Sequence, residues 1–158
     1  MSLTLGVDQS YTSSGYCIID AEQNIIEFGR LKSDTTKDVY ERALETAKKI
    51  CELIEKHSLK KVNLEGLAFG IMGNATRDLA GLLFTIINLI KYKIGEDVEV
   101  TVIAPTSVKK LATGSGKAKK KDMVESLPKD VLEKFKQSGL KITTGLTDVT
   151  DAYWISRC

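Results

Sequence analysis

Leu3, Leu5 and Val7 alternate with Thr4, Gly6 and Asp8. A two-residue apolar period of this kind suits a β-strand whose two faces meet different surroundings. Shorter runs of the same kind follow at Gly15 to Ile19, Ile25 to Phe28, Val62 to Glu65, and Val98 with Val100 and Val102. Among the later runs the period lengthens. Val39, Ala43, Ala47, Ile50 and Ile54 predict a helix from Thr36 to His57, with Thr35 and Asp38 as a capping box. A second helix is predicted over Asn74 to Ile94, closed by Gly95. Pro105 marks a helix start, another helix covers Lys119 to Ser126, and Pro128 opens one that reaches Ser138. Thr147 is positioned to cap a last helix that carries Asp148 and Asp151. Three strands joined by turns, then strands separated by helices, predict an α/β fold: a mixed five-stranded sheet with helices on both faces. A chain of 158 residues is the size of one domain, so residues 1–158 are expected to form a single unit.

Several function classes are disfavoured at this stage. The cysteines Cys17, Cys51 and Cys158 are odd in number and widely spaced, and with one histidine, His57, they have no zinc-ligand pattern. A reduced, cytoplasmic setting is the simplest expectation, with Cys17 and Cys51 as core thiols. The opening Met1-Ser2-Leu3-Thr4 lacks the basic and apolar regions of a signal peptide. Leu79 to Ile94, the longest apolar-rich stretch, contains Thr85, Asn88, Lys91 and Lys93 and is too polar and too short for a membrane span. Net charge is only +2, yet Lys109, Lys110, Lys117, Lys119, Lys120 and Lys121 fall within one short stretch that holds no acid. The rest of the chain is therefore net negative, and a polyanion held at one defined place is the implied partner.

The chemistry resides in the acids. Asp8 and Glu65 each stand at the C-terminal end of a predicted strand, the edge of an α/β sheet where ligands gather. Asp148 and Asp151, three apart on a predicted helix, share a face. Each alone has a plainer reading: a turn former, a solvated charge, or an acid favoured near a helix N-terminus. Together they make a carboxylate cluster, whose mutual repulsion a hard divalent ion relieves. A pair of Mg²⁺ or Mn²⁺ ions about 3.5–4 Å apart suits phosphodiester hydrolysis. The one histidine, at a predicted helix end, gives no support to a Ser-His-Asp or Cys-His site.

Four segments resemble one family in its own order. LGVDQSYTSSGY resembles the first strand and turn of RuvC-like Holliday junction resolvases, and VNLEGLAFG the strand that ends in their catalytic Glu. GSGKAKK resembles their basic loop, and TDVTDAYWI their closing D-x-x-D-A helix. The resemblance implies an RNase H-like fold. It also implies a homodimer that nicks two like-polarity strands of a four-way or related branched DNA, leaving 5′-phosphates and 3′-hydroxyls. It gives Asp8, Glu65, Asp148 and Asp151 the role of holding two Mg²⁺ (or Mn²⁺) ions, and places Lys120 and Lys109 near the scissile phosphate. Lys110, Lys117, Lys119 and Lys121 join them as DNA-binding residues, as does Phe69, near the place of an aromatic that engages bases at the junction centre. The dimer contact falls on the helix around 74–93, whose Leu79, Leu82, Leu83, Ile86, Ile87 and Ile90 cover more than one face; a fully buried core helix is the alternative. Gln9-Ser10 stands where many bacterial members have Pro-Gly, a departure that suggests a diverged, phage-type member.

Three other readings stay open: a branched-DNA-binding module of this fold without catalysis, a ribonuclease H acting on RNA–DNA hybrids, and an ATPase lobe. The last needs two such domains to enclose a nucleotide, and no nucleotide cofactor is expected.

Overall fold

The structure, a computed structural model, describes residues 2–68 and 73–158. Phe69 lies outside the described residues. Strands β1 (Thr4–Asp8), β2 (Ser13–Ile19) and β3 (Ile25–Lys32) form an antiparallel meander. After helix α1 (Val39–His57), strand β4 (Lys61–Glu65) pairs parallel to β1. After helix α2 (Asn74–Lys93), β5 (Glu99–Ile103) pairs parallel to β4. The sheet order is β3-β2-β1-β4-β5, so the strand that ends in Asp8 is central. The expected mixed five-stranded sheet with helices on both faces is the one observed.

Alternation along the strands divides the interior in two. Leu5, Val7, Ile18, Val62 and Leu64 point to one face, where the buried side of α1 and Leu82, Leu83, Ile86 and Ile90 of α2 cover them. Cys17 and Ile19 point to the other. That face is covered by α3 (Pro105–Thr113), α4 (Lys120–Glu125), α5 (Lys129–Gln137) and α6 (Leu146–Ser156), with a single 3₁₀ turn at Ile142–Thr144. Cys17 and Cys51 are buried, as expected. Among the described residues no helix is long and apolar enough to cross a membrane.

The boundaries carry the corrections. α1 starts at Val39 rather than Thr36, because Asp38 is the N-cap, its carboxylate accepting from the Glu41 N–H at 2.8 Å. β3 runs on past Phe28 to Lys32 beside β2. Gly95 closes α2 from just beyond its end, at φ +100°, its N–H donating to the Ile90 carbonyl. Thr147 does not cap the last helix. It lies inside α6, which begins at Leu146 after Gly145 at φ +100°. The lysine-rich stretch is not one loop: Lys109 and Lys110 lie within α3, Lys120 and Lys121 begin α4, and only residues 114–119 connect them.

Candidate active site

Two glycines let α6 reach the sheet. A Cβ on Gly6 of β1 would overlap the Ala152 carbonyl oxygen and the Ser156 nitrogen, and one on Gly15 of β2 would overlap the Asp148 carbonyl. The helix backbone therefore lies directly on the strands. Buried Asn63 of β4 fixes its far end, donating from Nδ2 to the Ile155 carbonyl at 3.0 Å. This seating carries Asp151, and Asp148 in the first turn, to the strand edge where Asp8 and Glu65 end.

Asp8, Glu65 and Asp151 line one cleft of about 500 Å³ together with Lys109, Lys117, Lys119 and Lys120. Burial, followed by the neighbouring Glu65 carboxylate, pushes the Asp8 carboxyl well above the usual carboxylate range. A side-chain hydrogen bond with Glu65 and the charges of Asp151 and Asp148 act in the same direction. The Asp151 carboxyl is pushed up to about 7, by burial first and then by Glu65; Lys120 and Lys109 oppose the shift. Asp148 does not line the cleft, but its charge is felt by both Asp8 and Asp151.

The donors are hard oxygens in a partly buried, like-charged group, a setting that favours a divalent cation. Among the described residues no three such side chains close around a single point. The charges of Glu65, Asp151 and Asp148 all act on Asp8, and Mg²⁺ is usually held by one or two carboxylates and keeps the rest of its shell for waters and phosphate. The residues fit such an ion.

The lysines divide. Thr113 and Ser115 order the connection between α3 and α4: Thr113 Oγ1 accepts from the Ser115 N–H at 3.1 Å, and Ser115 Oγ accepts from the Lys117 N–H at 3.2 Å. Asp122 caps α4 by accepting from the Lys119 N–H at 2.9 Å. Trp154 of α6 donates from its indole to the Met123 carbonyl at 3.1 Å, which ties the basic segment to the acid-bearing helix. Lys110 and Lys121 are exposed and do not line the cleft, and Lys121 pairs with Glu125 at 3.7 Å. At the start of β2 the buried Ser14 hydroxyl accepts from the Ser10 N–H and donates to the Ser10 carbonyl, which shapes the turn after β1.

Gln9 was visible in the sequence only as a departure from the resolvase pattern. In the fold it is buried, and its side chain grips the main chain of Glu65. No local sequence signal announces a bond between residues so far apart.

A family model described as crossover junction endodeoxyribonuclease RuvC matches residues 4–154. The chain is 31% identical over 155 residues to the crossover junction endodeoxyribonuclease RuvC of Sulfurovum sp. (strain NBC37-1), covering 96% of this chain and 91% of that protein. In fold it is similar to the Thermus thermophilus RuvC structure, with a TM-score of 0.73 at 19% identity over 98% of this chain and 90% of that one. T. thermophilus RuvC in complex with Holliday junction substrate gives the same TM-score, 0.73, at 16% identity, over 99% and 90% of the two chains. The mixed sheet described above is thus of the RNase H-like kind.

Proposed function

The chain belongs to the RuvC family of crossover junction endodeoxyribonucleases, and from that membership we propose that it resolves four-way and related branched DNA with paired nicks. The observation that carries this reading is a single cleft in which Asp8, Glu65 and Asp151 face Lys109, Lys117, Lys119 and Lys120. Acids alone would repel a DNA strand, and lysines alone would bind it without cutting. Side by side they suit a phosphodiester held by cations on one flank and ammonium groups on the other.

Asp8, on the central strand, would serve both of two Mg²⁺ or Mn²⁺ ions, Glu65 one of them, and Asp148 with Asp151 the other. Ions held there supply charge neutralisation and water activation for in-line hydrolysis. Hydrolysis breaks the phosphorus–O3′ bond, leaving a 5′-phosphate and a 3′-hydroxyl. Lys120 and Lys109 stand closest to Asp151 in electrostatic effect and would neutralise the phosphate at the cut. Lys117 and Lys119 would hold the flanking backbone, and Lys110 and Lys121 would add outer electrostatic attraction.

Paired nicking needs two cleavage sites, and α2 offers the surface for a homodimer. Its inner residues are buried, whereas Phe84 is 63% exposed and Leu79 38% exposed. The protein would act in the cytoplasm and needs no nucleotide.

The test is incubation of the purified protein with a labelled four-way junction and, in parallel, an RNA–DNA hybrid, each with and without Mg²⁺. Symmetric nicks in the junction only with Mg²⁺, and loss of cutting but not of binding in Asp8→Asn, are the expected results. Cutting of the hybrid in preference to the junction would identify a ribonuclease H instead. Binding with no cutting of either substrate in Mg²⁺ would identify a non-catalytic module.

A further inference from the structure

The hydrogen-bonded ladder between β1 and β4 has its last register pair at Val7 and Leu64. Asp8 and Glu65 lie one step beyond it. On its other side Glu65 is still held by main chain, since it pairs with Ile103 of β5 and the Gly66 N–H donates to the Ile103 carbonyl at 2.7 Å. Toward β1 the link is the side chain of Gln9. Its Nε2 donates to the Glu65 carbonyl at 2.5 Å, and its Oε1 accepts from the Glu65 N–H at 3.2 Å. One amide thereby satisfies both main-chain groups of a single residue, as a neighbouring strand does. Gln9 is only 9% exposed, so water competes weakly for these bonds.

We infer that Gln9 is a positioning residue for cleavage: its amide adds a side-chain rung to the β1–β4 ladder and fixes the spacing between the Asp8 and Glu65 carboxylates. The inference rests on the reading of Glu65 as a metal-holding residue. It also gives a physical meaning to the place where this chain departs from Pro-Gly. A proline there has no side-chain donor or acceptor with which to form the rung.

Gln9→Met keeps the length of the side chain and removes both hydrogen bonds. In the metal-free, folded variant the Glu65 amide is expected to exchange with solvent at least roughly tenfold faster than in the wild type, with amides inside the ladder unchanged. Mn²⁺ titrated calorimetrically into the variant bound to a junction whose scissile linkages are replaced by a non-hydrolysable analogue is expected to bind roughly 10- to 100-fold more weakly. Saturating Mn²⁺ should then recover most of the single-turnover rate. Gln9→Asn, whose amide is one methylene too short to span the gap, should behave alike and serves if the methionine variant does not fold. An unchanged Glu65 exchange rate, or unchanged Mn²⁺ affinity, overturns the role of Gln9. Glu65→Gln separates the two layers. If it cuts at the wild-type rate, the metal-site reading fails. If it is inactive while Gln9→Met is indistinguishable from wild type, only the positioning role fails.

Discussion

Asp151 ties the chemistry to pH. An aspartate ordinarily loses its proton near pH 4. In this fold burial, with Glu65 adding to it, holds the proton on Asp151 up to about 7, and Asp8 is shifted in the same direction. Between the unfolded and folded values the folded chain keeps protons that the unfolded chain has released. Metal-free stability therefore falls as pH rises through that window, and Asp151's contribution levels off above about pH 7. The acids with lowered values, Asp20, Glu27, Asp34 and Glu45, act at more acidic pH and do not offset this. A metal-free melting temperature lower by on the order of 5 °C at about pH 8 than at about pH 5 is expected. Mg²⁺, which needs the ionised carboxylates, should restore more of it at the higher pH. Asp151→Asn should flatten the slope measured by calorimetric melts, and an equally steep slope in that variant would take Asp151 out of the account.

At the scale of elements, the site depends on how closely α6 approaches β1 and β2. Gly6→Ala would press a methyl group into the Ala152 carbonyl and the Ser156 nitrogen, both backbone atoms that cannot swing away. The expected loss is roughly 3 kcal/mol in urea unfolding, at the upper end of ordinary overpacking, with slowed cutting because Asp148 and Asp151 ride on the displaced helix. Gly81→Ala, in helix α2 with only the Tyr11 hydroxyl at 3.7 Å, should be neutral or stabilise by about 0.5–1 kcal/mol. Equal tolerance at Gly6 and Gly81 would contradict the tight seating. Much of this layer was legible in the sequence. The apolar alternation before Asp8, and its later returns, located all five strands, and the longer period of α1 and α2 gave both helices within a few residues. Helix starts were less legible, because Asp38 and Thr35 are equally good caps by type, and because Thr147 hid a helix already begun at Leu146. The four acids were legible as strand ends and a helix face. The Gln9 rung and the glycine-mediated approach of α6 were not, since both are contacts between residues far apart in the chain whose types say nothing about each other.

For the whole molecule, the same α2 that covers one face of the sheet leaves Phe84 and Tyr92 largely exposed on its outer side. A dimer joined there would carry two clefts, the number that paired nicks require. The wild type should sediment as a dimer, and Phe84→Glu should sediment as a monomer that nicks one strand at a time instead of making paired cuts. A monomeric wild type that still makes paired cuts would remove α2 from this role. The position of the cations decides whether this cleft is where DNA is cut. Anomalous diffraction from crystals grown with Mn²⁺ and a four-way junction measures this directly. Manganese peaks are expected among the carboxylates of Asp8, Glu65, Asp148 and Asp151, against a DNA phosphate that Lys120 also approaches. Manganese bound elsewhere, or a junction backbone that passes the protein without entering this cleft, would contradict it.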